Sequence, residues 1–124
     1  MVVINFDGSY NKDKSMVGWS FYSEHFDERG QLKIEDGSNN VAEYIALIKA
    51  MEYCTSEKIK HVIFIGDSKM VIDQMNNEKI GSGKYKSYAM WAFKLRMKLP
   101  EAKFKHVLRN ENKEADKLSK IRYK

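Results

Sequence analysis

The chain has 124 residues, 43% of them hydrophobic, one cysteine and a formal net charge of +5. That length and apolar content suit a single domain, 1–124, with room for one core. No apolar run approaches the roughly 20 residues that cross a bilayer, Met1-Val2-Val3-Ile4-Asn5 has no basic region ahead of a long apolar run, and a lone Cys54 forms no internal disulfide. A cytoplasmic, reducing setting with no membrane contact is the expectation, with Cys54 as a small buried hydrophobe.

The charge is unevenly spread. Residues 1–56 carry five Lys/Arg against nine Asp/Glu, whereas residues 57–124 carry 17 against eight. A basic half of this kind is either a solvated face or a surface that neutralises phosphates along a nucleic acid. In the second case the acidic half contributes metal ligands.

Val2 to Asp7 alternates, with Val3, Asn5 and Asp7 on one face and Val2, Ile4 and Phe6 on the other, and reads as a strand ended by Gly8-Ser9. After the turn-rich Ser9 to Asp13, a second strand fits Ser15 to Ser23. A third, Gly30 to Glu35, is entered through an expected hairpin turn at Asp27-Glu28-Arg29-Gly30. Asp36-Gly37-Ser38-Asn39-Asn40 breaks the pattern and offers helix caps. Val41, Tyr44, Ile45, Leu47, Ile48 and Met51 then make an apolar stripe at helical spacing, which predicts a helix over Val41 to Cys54.

Ile59 to Ile65 reads as a buried strand and Ser68 to Met75 as a short helix. Asn76-Asn77 and Gly81-Ser82-Gly83 interrupt before a helix from Tyr85 to Leu99, which Pro100 stops. Tyr88, Trp91, Leu95 and Leu99 are expected on its packed side, with Tyr85 exposed between Lys84 and Lys86. Ala102 to Leu108 is a last strand and Glu111 to Arg122 a last helix. The order β-β-β-α-β-α-α-β-α implies an α/β fold, a mixed sheet with helices packed on it.

Four acids, Asp7, Glu43, Asp67 and Asp116, fall at element ends or in early helical turns, where a site is built on rigid scaffold. Each has an ordinary alternative: a turn former for Asp7, a capping group for Glu43 and for Asp67, an exposed helix acid for Asp116. Glu43 heads an apolar line through Ala46, Leu47, Ala50 and Cys54, and a carboxylate placed there needs a partner. The inferred layout lets all four converge. Mg²⁺ takes oxygen ligands and keeps several waters, so a few carboxylates and a substrate phosphate complete its shell. Two such ions about 3.5–4 Å apart serve in-line cleavage of a phosphodiester. No Ser-His-Asp or Cys/His spacing competes. The segment from Asp7 fails as a calcium loop, with Lys12 where glycine belongs and Gly18 where glutamate belongs.

Phe6-Asp7-Gly8-Ser9, Asn39-Asn40-Val41-Ala42-Glu43, Gly66-Asp67-Ser68-Lys69 and Glu111-Asn112-Lys113-Glu114-Ala115-Asp116 are each short. In this order, with matching elements between them, they resemble type 1 ribonuclease H over nearly the whole chain. The resemblance implies a five-stranded mixed sheet of order 3-2-1-4-5 with helices on both faces. It implies an endonuclease that cuts the RNA strand of RNA/DNA hybrids with two Mg²⁺ ions, Mn²⁺ substituting, and leaves 3′-hydroxyl and 5′-phosphate ends. On that resemblance Asp7 bridges both metals, Glu43 and Asp67 complete the sphere near the attacking water and leaving group, and Asp116 holds the second metal. Asn39 and Asn40 are expected in the minor groove and Ser38 on a phosphate. Ser9, Lys69, Lys84 and Lys86 are further expected substrate contacts, and RNA is chosen through its 2′-hydroxyl. A monomer without a protein partner is expected.

Two departures stand out. Some members carry a histidine that assists product release on a loop before the last helix, but here only Arg109 and Asn110 separate Leu108 from Glu111, and His106 falls inside a strand. His106, Arg109 and Arg122 are the candidates for that assistance. The Asn76 to Lys86 connection is too short for the basic insertion of other members, and Lys84, Lys86, Lys94, Arg96 and Lys98 are the available substitutes. The alternatives within this fold are a catalytically inactive nucleic-acid-binding module, a nuclease for double-stranded RNA or DNA junctions, and a domain of a polymerase-type polyprotein.

Overall fold

A computed structural model describes residues 1–77, 79 and 83–113. Strands β1 (Val2–Asn11), β2 (Met16–Tyr22), β3 (Asp27–Lys33), β4 (Val62–Gly66) and β5 (Lys103–His106) form one sheet in the order β3-β2-β1-β4-β5. The first three strands pair antiparallel, and β4 pairs parallel with both β1 and β5. This is the mixed sheet, with its strand order, that the resemblance implied. Helices α1 (Asn39–Ser56), α2 (Lys69–Asn77) and α3 (Lys86–Met97), with a 3₁₀ turn at Arg109–Glu111, complete the described elements. None of them is long and apolar enough to cross a membrane.

The alternation in β1 turns Ile4 and Phe6 toward α1. Together with Phe21 and Phe64 they meet Tyr44, Leu47, Ile48 and Met51, all at most 1% exposed. Burying each such side chain contributes about 1.5–3 kcal/mol, so α1 is firmly fixed over the sheet. Cys54 lies in the same cluster, and burial pushes its thiol up to about 12.

The structure differs from the sequence reading in four places. First, β1 does not end at Asp7 but runs to Asn11, because residues 5–11 pair with 22–16 of β2. Cross-strand pairing overrides the turn chemistry of Gly8-Ser9, and the chain turns later, where Ser15 N–H bonds Lys12 O and Ser15 takes a φ of 51°. Second, Asp27 to Gly30 belongs to β3, and the turn lies before it, closed by Ser23 N–H on Phe26 O. Phe26 packs against Tyr53 with ring centroids 4.5 Å apart, and that contact anchors the turn one step earlier.

Third, α3 packs through Ala89, Ala92 and Leu95, while Trp91 is 46% exposed. Tyr85, expected outside, is half-buried and stacked on Tyr44 at 6.1 Å. Two alanines let α3 approach α1 more closely than a tryptophan would. Fourth, Arg109–Glu111 is a 3₁₀ turn rather than the start of a helix. The rest of the predicted last helix from residue 114 on, with Asp116, Lys120, Arg122 and Lys124, lies outside the described residues.

Candidate metal centre and adjoining cleft

The parallel pairing of β1 and β4 ends at Asn5 opposite Ile65. Asp7 lies two residues further along β1, and Asp67 directly follows β4. The chain leaves β1 toward β2 on one side, and β5 lies beyond β4 on the other. Both carboxylates therefore sit just past the end of the parallel pairing, where a crevice opens at the switch in strand order.

The third acid comes from α1, and Gly8 is the reason it reaches. A Cβ built on Gly8 would lie 2.0 Å from the Ala42 carbonyl oxygen, so only glycine lets helix and strand come this close. At that approach Gly8 N–H donates to Glu43 Oε1 at 3.3 Å. One ligand oxygen from each of Asp7, Glu43 and Asp67 lies within 4.8 Å of the other two.

The ordinary readings of these acids do not account for them. Asp7 is in mid-strand, not at a turn. Capping at both helix starts falls to serines: Ser38 Oγ accepts from Val41 N–H at 3.2 Å, and Ser68 Oγ accepts from Val71 N–H at 3.4 Å.

Electrostatics at the cluster are unfavourable without a cation. Asp7 is 2% exposed and Glu43 8%. Burial above all, then the charges of Asp7 and Asp67, holds the Glu43 carboxyl well above the ordinary carboxylate range, against the opposing hydrogen bond from Gly8. No hydrogen-bond donor among the described residues reaches the buried Glu43 Oε2. At an effective dielectric of about 20, two ionised groups no more than 4.8 Å apart repel by at least about 3.5 kcal/mol. A divalent ion reverses that sign. Three convergent carboxylates, all hard oxygen donors, with Glu43 Oε2 lacking a hydrogen-bond donor among the described residues, fit Mg²⁺ or Mn²⁺.

Above the acids lies a cleft of about 240 Å³, lined by Gly8, Ser9, Asn39, Asn40, Glu43, Asp67, Ser68 and Arg109. Ser9, Asn39, Asn40 and Arg109 are thus brought to two of the acids. Ser38 and Lys84 line a neighbouring groove, which shares Asn39. Lys69 is on the exposed side of α2, ion-paired with Asp73 at 2.7 Å, and Lys86 is exposed at the start of α3. His106 is half-buried on β5 opposite Gly66 and is not among the residues lining the cleft. Asp116 and Arg122 fall outside the described residues.

Two residues of the site escaped sequence reasoning. Gly8 looked like a turn residue, although a glycine within a strand also signals a close backbone approach. Asn112 fell inside the predicted last helix with no role of its own, yet it is 1% exposed. Its Nδ2 donates to Phe6 O at 2.8 Å and its Oδ1 accepts from Asn5 Nδ2 at 2.8 Å. It bolts the entry to the last segment onto β1, one residue before Asp7.

The chain matches the reverse transcriptase-like family over residues 5–121. Among solved structures it is similar to ribonuclease H1 from the halophilic archaeon Halobacterium salinarum, with 27% identity over 95% of this chain and 93% of that one, at a TM-score of 0.75. A ribonuclease H1 isolated from compost by a metagenomic approach, solved in complex with an RNA/DNA hybrid, is 26% identical over 95% and 93% of the two chains, at a TM-score of 0.78. The N-terminal ribonuclease H domain of a Mycobacterium tuberculosis protein, solved as a fusion with maltose-binding protein, shares the fold at a TM-score of 0.82, with 23% identity over 95% and 89%. Sheet order, acid cluster and matched span agree, and the chain belongs to the reverse transcriptase-like family, with the architecture of type 1 ribonuclease H.

Proposed function

We propose that this protein is a ribonuclease H, a divalent-metal-dependent endonuclease that hydrolyses the RNA strand of RNA/DNA hybrids and leaves 3′-hydroxyl and 5′-phosphate ends. The observation that carries the reading is the meeting of Asp7, Glu43 and Asp67, from three separate elements, within one 4.8 Å cluster. The hybrid bound to the compost ribonuclease H1 supports the choice of substrate.

In this reading Asp7, Glu43 and Asp67 hold the metal, with Asp116 as a fourth ligand from the last segment. When bound, two Mg²⁺ or Mn²⁺ ions supply an activated water and neutralise charge at the leaving oxygen. The chain's own part is positional. Gly8 sets how closely α1 approaches β1, and its N–H orients the Glu43 carboxylate. Asn112 is fixed to the strand carrying Asp7 through Phe6 O. Ser9, Asn39 and Asn40 line the cleft with groups that hydrogen-bond to a groove edge and its 2′-hydroxyls. Arg109 places a permanent positive charge in the same cleft, where it attracts the scissile phosphate. Lys84, Lys86 and Lys69 act further out, along the backbone, and Ser38 joins Lys84 in the second groove.

A substrate panel tests this. End-labelled RNA/DNA hybrid, double-stranded RNA, duplex DNA, a DNA junction and single-stranded RNA are each incubated with pure protein and Mg²⁺. The reading expects cleavage confined to the RNA strand of the hybrid, with products that ligate through their 5′-phosphates. Preferential cutting of double-stranded RNA or of the junction would replace the substrate while keeping the chemistry. Hybrid binding without turnover would replace the enzyme with a binding module.

A further inference from the structure

We infer that Asp36 is a built-in competitor for a substrate phosphate, holding Lys84 and lowering the affinity of the groove beside the acid cleft. The inference rests on the hybrid-cleaving reading above and adds a residue that sets substrate affinity.

The groove encloses about 620 Å³ and shares Asn39 with the acid cleft, so a polyanion lying in one extends over the other. Its lining carries two lysines, Lys12 and Lys84, and one acid, Asp36. Lys84 Nζ lies 2.8 Å from Asp36 Oδ1, a contact between residues 48 apart in sequence. One of the two cations in the groove is therefore already neutralised. Each partner is well exposed, 52% and 82% at the side chain, so the pair is screened and an incoming phosphate displaces it at the cost of the contact.

Asp36 does not depend on Lys84 for its position. It has a φ of 55°, in the left-handed region. The turn around it is held by Tyr10, whose hydroxyl accepts from Gly37 N–H and donates to Ile34 O, both at 3.2 Å. A Cβ on Gly37 would come within 2.7 Å of the Tyr10 ring, so ring and turn are in tight contact. The backbone thus presents an acid at the mouth of a basic groove. Asparagine takes the left-handed conformation as readily as aspartate, so Asp36→Asn removes the charge and keeps the turn.

The experiment is an anisotropy titration of a labelled RNA/DNA hybrid in Mg²⁺ across a salt series, with Asp7→Asn as the background so that the hybrid stays intact. Adding Asp36→Asn is expected to tighten binding roughly three- to ten-fold at about 50 mM salt. The slope of log K against log salt should steepen by about 0.7–0.9, the signature of one more neutralised phosphate. Adding Lys84→Ala to that variant should abolish the gain. An unchanged affinity and slope in Asp36→Asn would overturn the inference. A gain that survives Lys84→Ala would overturn it too, since the effect would then be loss of negative charge in general. Absence of hybrid binding by every form would defeat the functional reading and this inference together, whereas tight binding indifferent to Asp36 defeats this inference alone.

Discussion

Replacing Gly8 with alanine tests how the site is assembled. The new Cβ would lie 2.0 Å from Ala42 O, 2.2 Å from the Ala42 carbonyl carbon and 2.7 Å from Glu43 N. All three are backbone atoms, so no side-chain rotation relieves the clash. Ordinary contact begins at 3.4 Å, and reaching it requires β1 and α1 to separate by about 1.4 Å. The helix resists, because Tyr44, Leu47, Ile48 and Met51 anchor it in the core. Overpacking of this kind costs about 1–3 kcal/mol, a fall in Tm of roughly 3–15 °C for a chain of this size. The same separation lengthens the Gly8–Glu43 hydrogen bond and spreads the acid cluster. A misplacement on the order of 1 Å slows catalysis about 100-fold. Circular-dichroism melting gives the first quantity, and single-turnover hybrid cleavage below the variant's Tm gives the second. A variant with unchanged Tm and rate would refute the argument that glycine sets the position of Glu43.

Three further outcomes are expected. Asn112→Ala strips Phe6 O and Asn5 Nδ2 of a partner and should lower stability by about 1–3 kcal/mol in urea unfolding, with kcat reduced more than KM changes. Without a bound cation, folded Glu43 holds its proton to higher pH than the unfolded chain does, because burial, Asp7 and Asp67 hold its carboxyl above the ordinary 4.5. In chelator, stability should therefore fall as pH rises from about 4.5 through the raised value; Glu43→Gln should flatten that fall in urea unfolding across pH, and saturating Mg²⁺ should suppress it. Arg109→Ala should weaken hybrid binding and flatten the salt slope by about 0.7–0.9, read by anisotropy.

Local pattern was enough for the elements whose signal is local. Alternation in Val2 to Asp7 and the stripe from Val41 to Met51 gave a strand and a helix in the right places, because each buries its own apolar face. The acids Asp7, Glu43 and Asp67 stood out through the order of their short motifs, although Asp7 lies in mid-strand and only Asp67 follows a strand end. What stayed hidden depends on partners far along the chain. The extension of β1 past Asp7 comes from pairing with β2, and the exposure of Trp91 comes from the way Ala89 and Ala92 seat α3. Gly8 and Asn112 each owe their role to a contact with a distant segment, 35 residues away for Gly8 and 106 for Asn112. Asp36 and Lys84 gave no sequence signal of pairing, since a turn acid and a loop lysine are ordinary surface residues.

Gathered carboxylates that bind divalent ions against a scissile phosphate are what the proposed chemistry requires. Single-turnover cleavage of an RNA/DNA hybrid by the unmodified protein and by Asp7→Asn, each over a Mg²⁺ titration, tests it most directly. The rate should saturate with Mg²⁺, vanish in chelator and fall by roughly 10²–10⁴ in Asp7→Asn, with the fold retained by circular dichroism. Equal rates for the two proteins, or cleavage that persists in chelator, would contradict it.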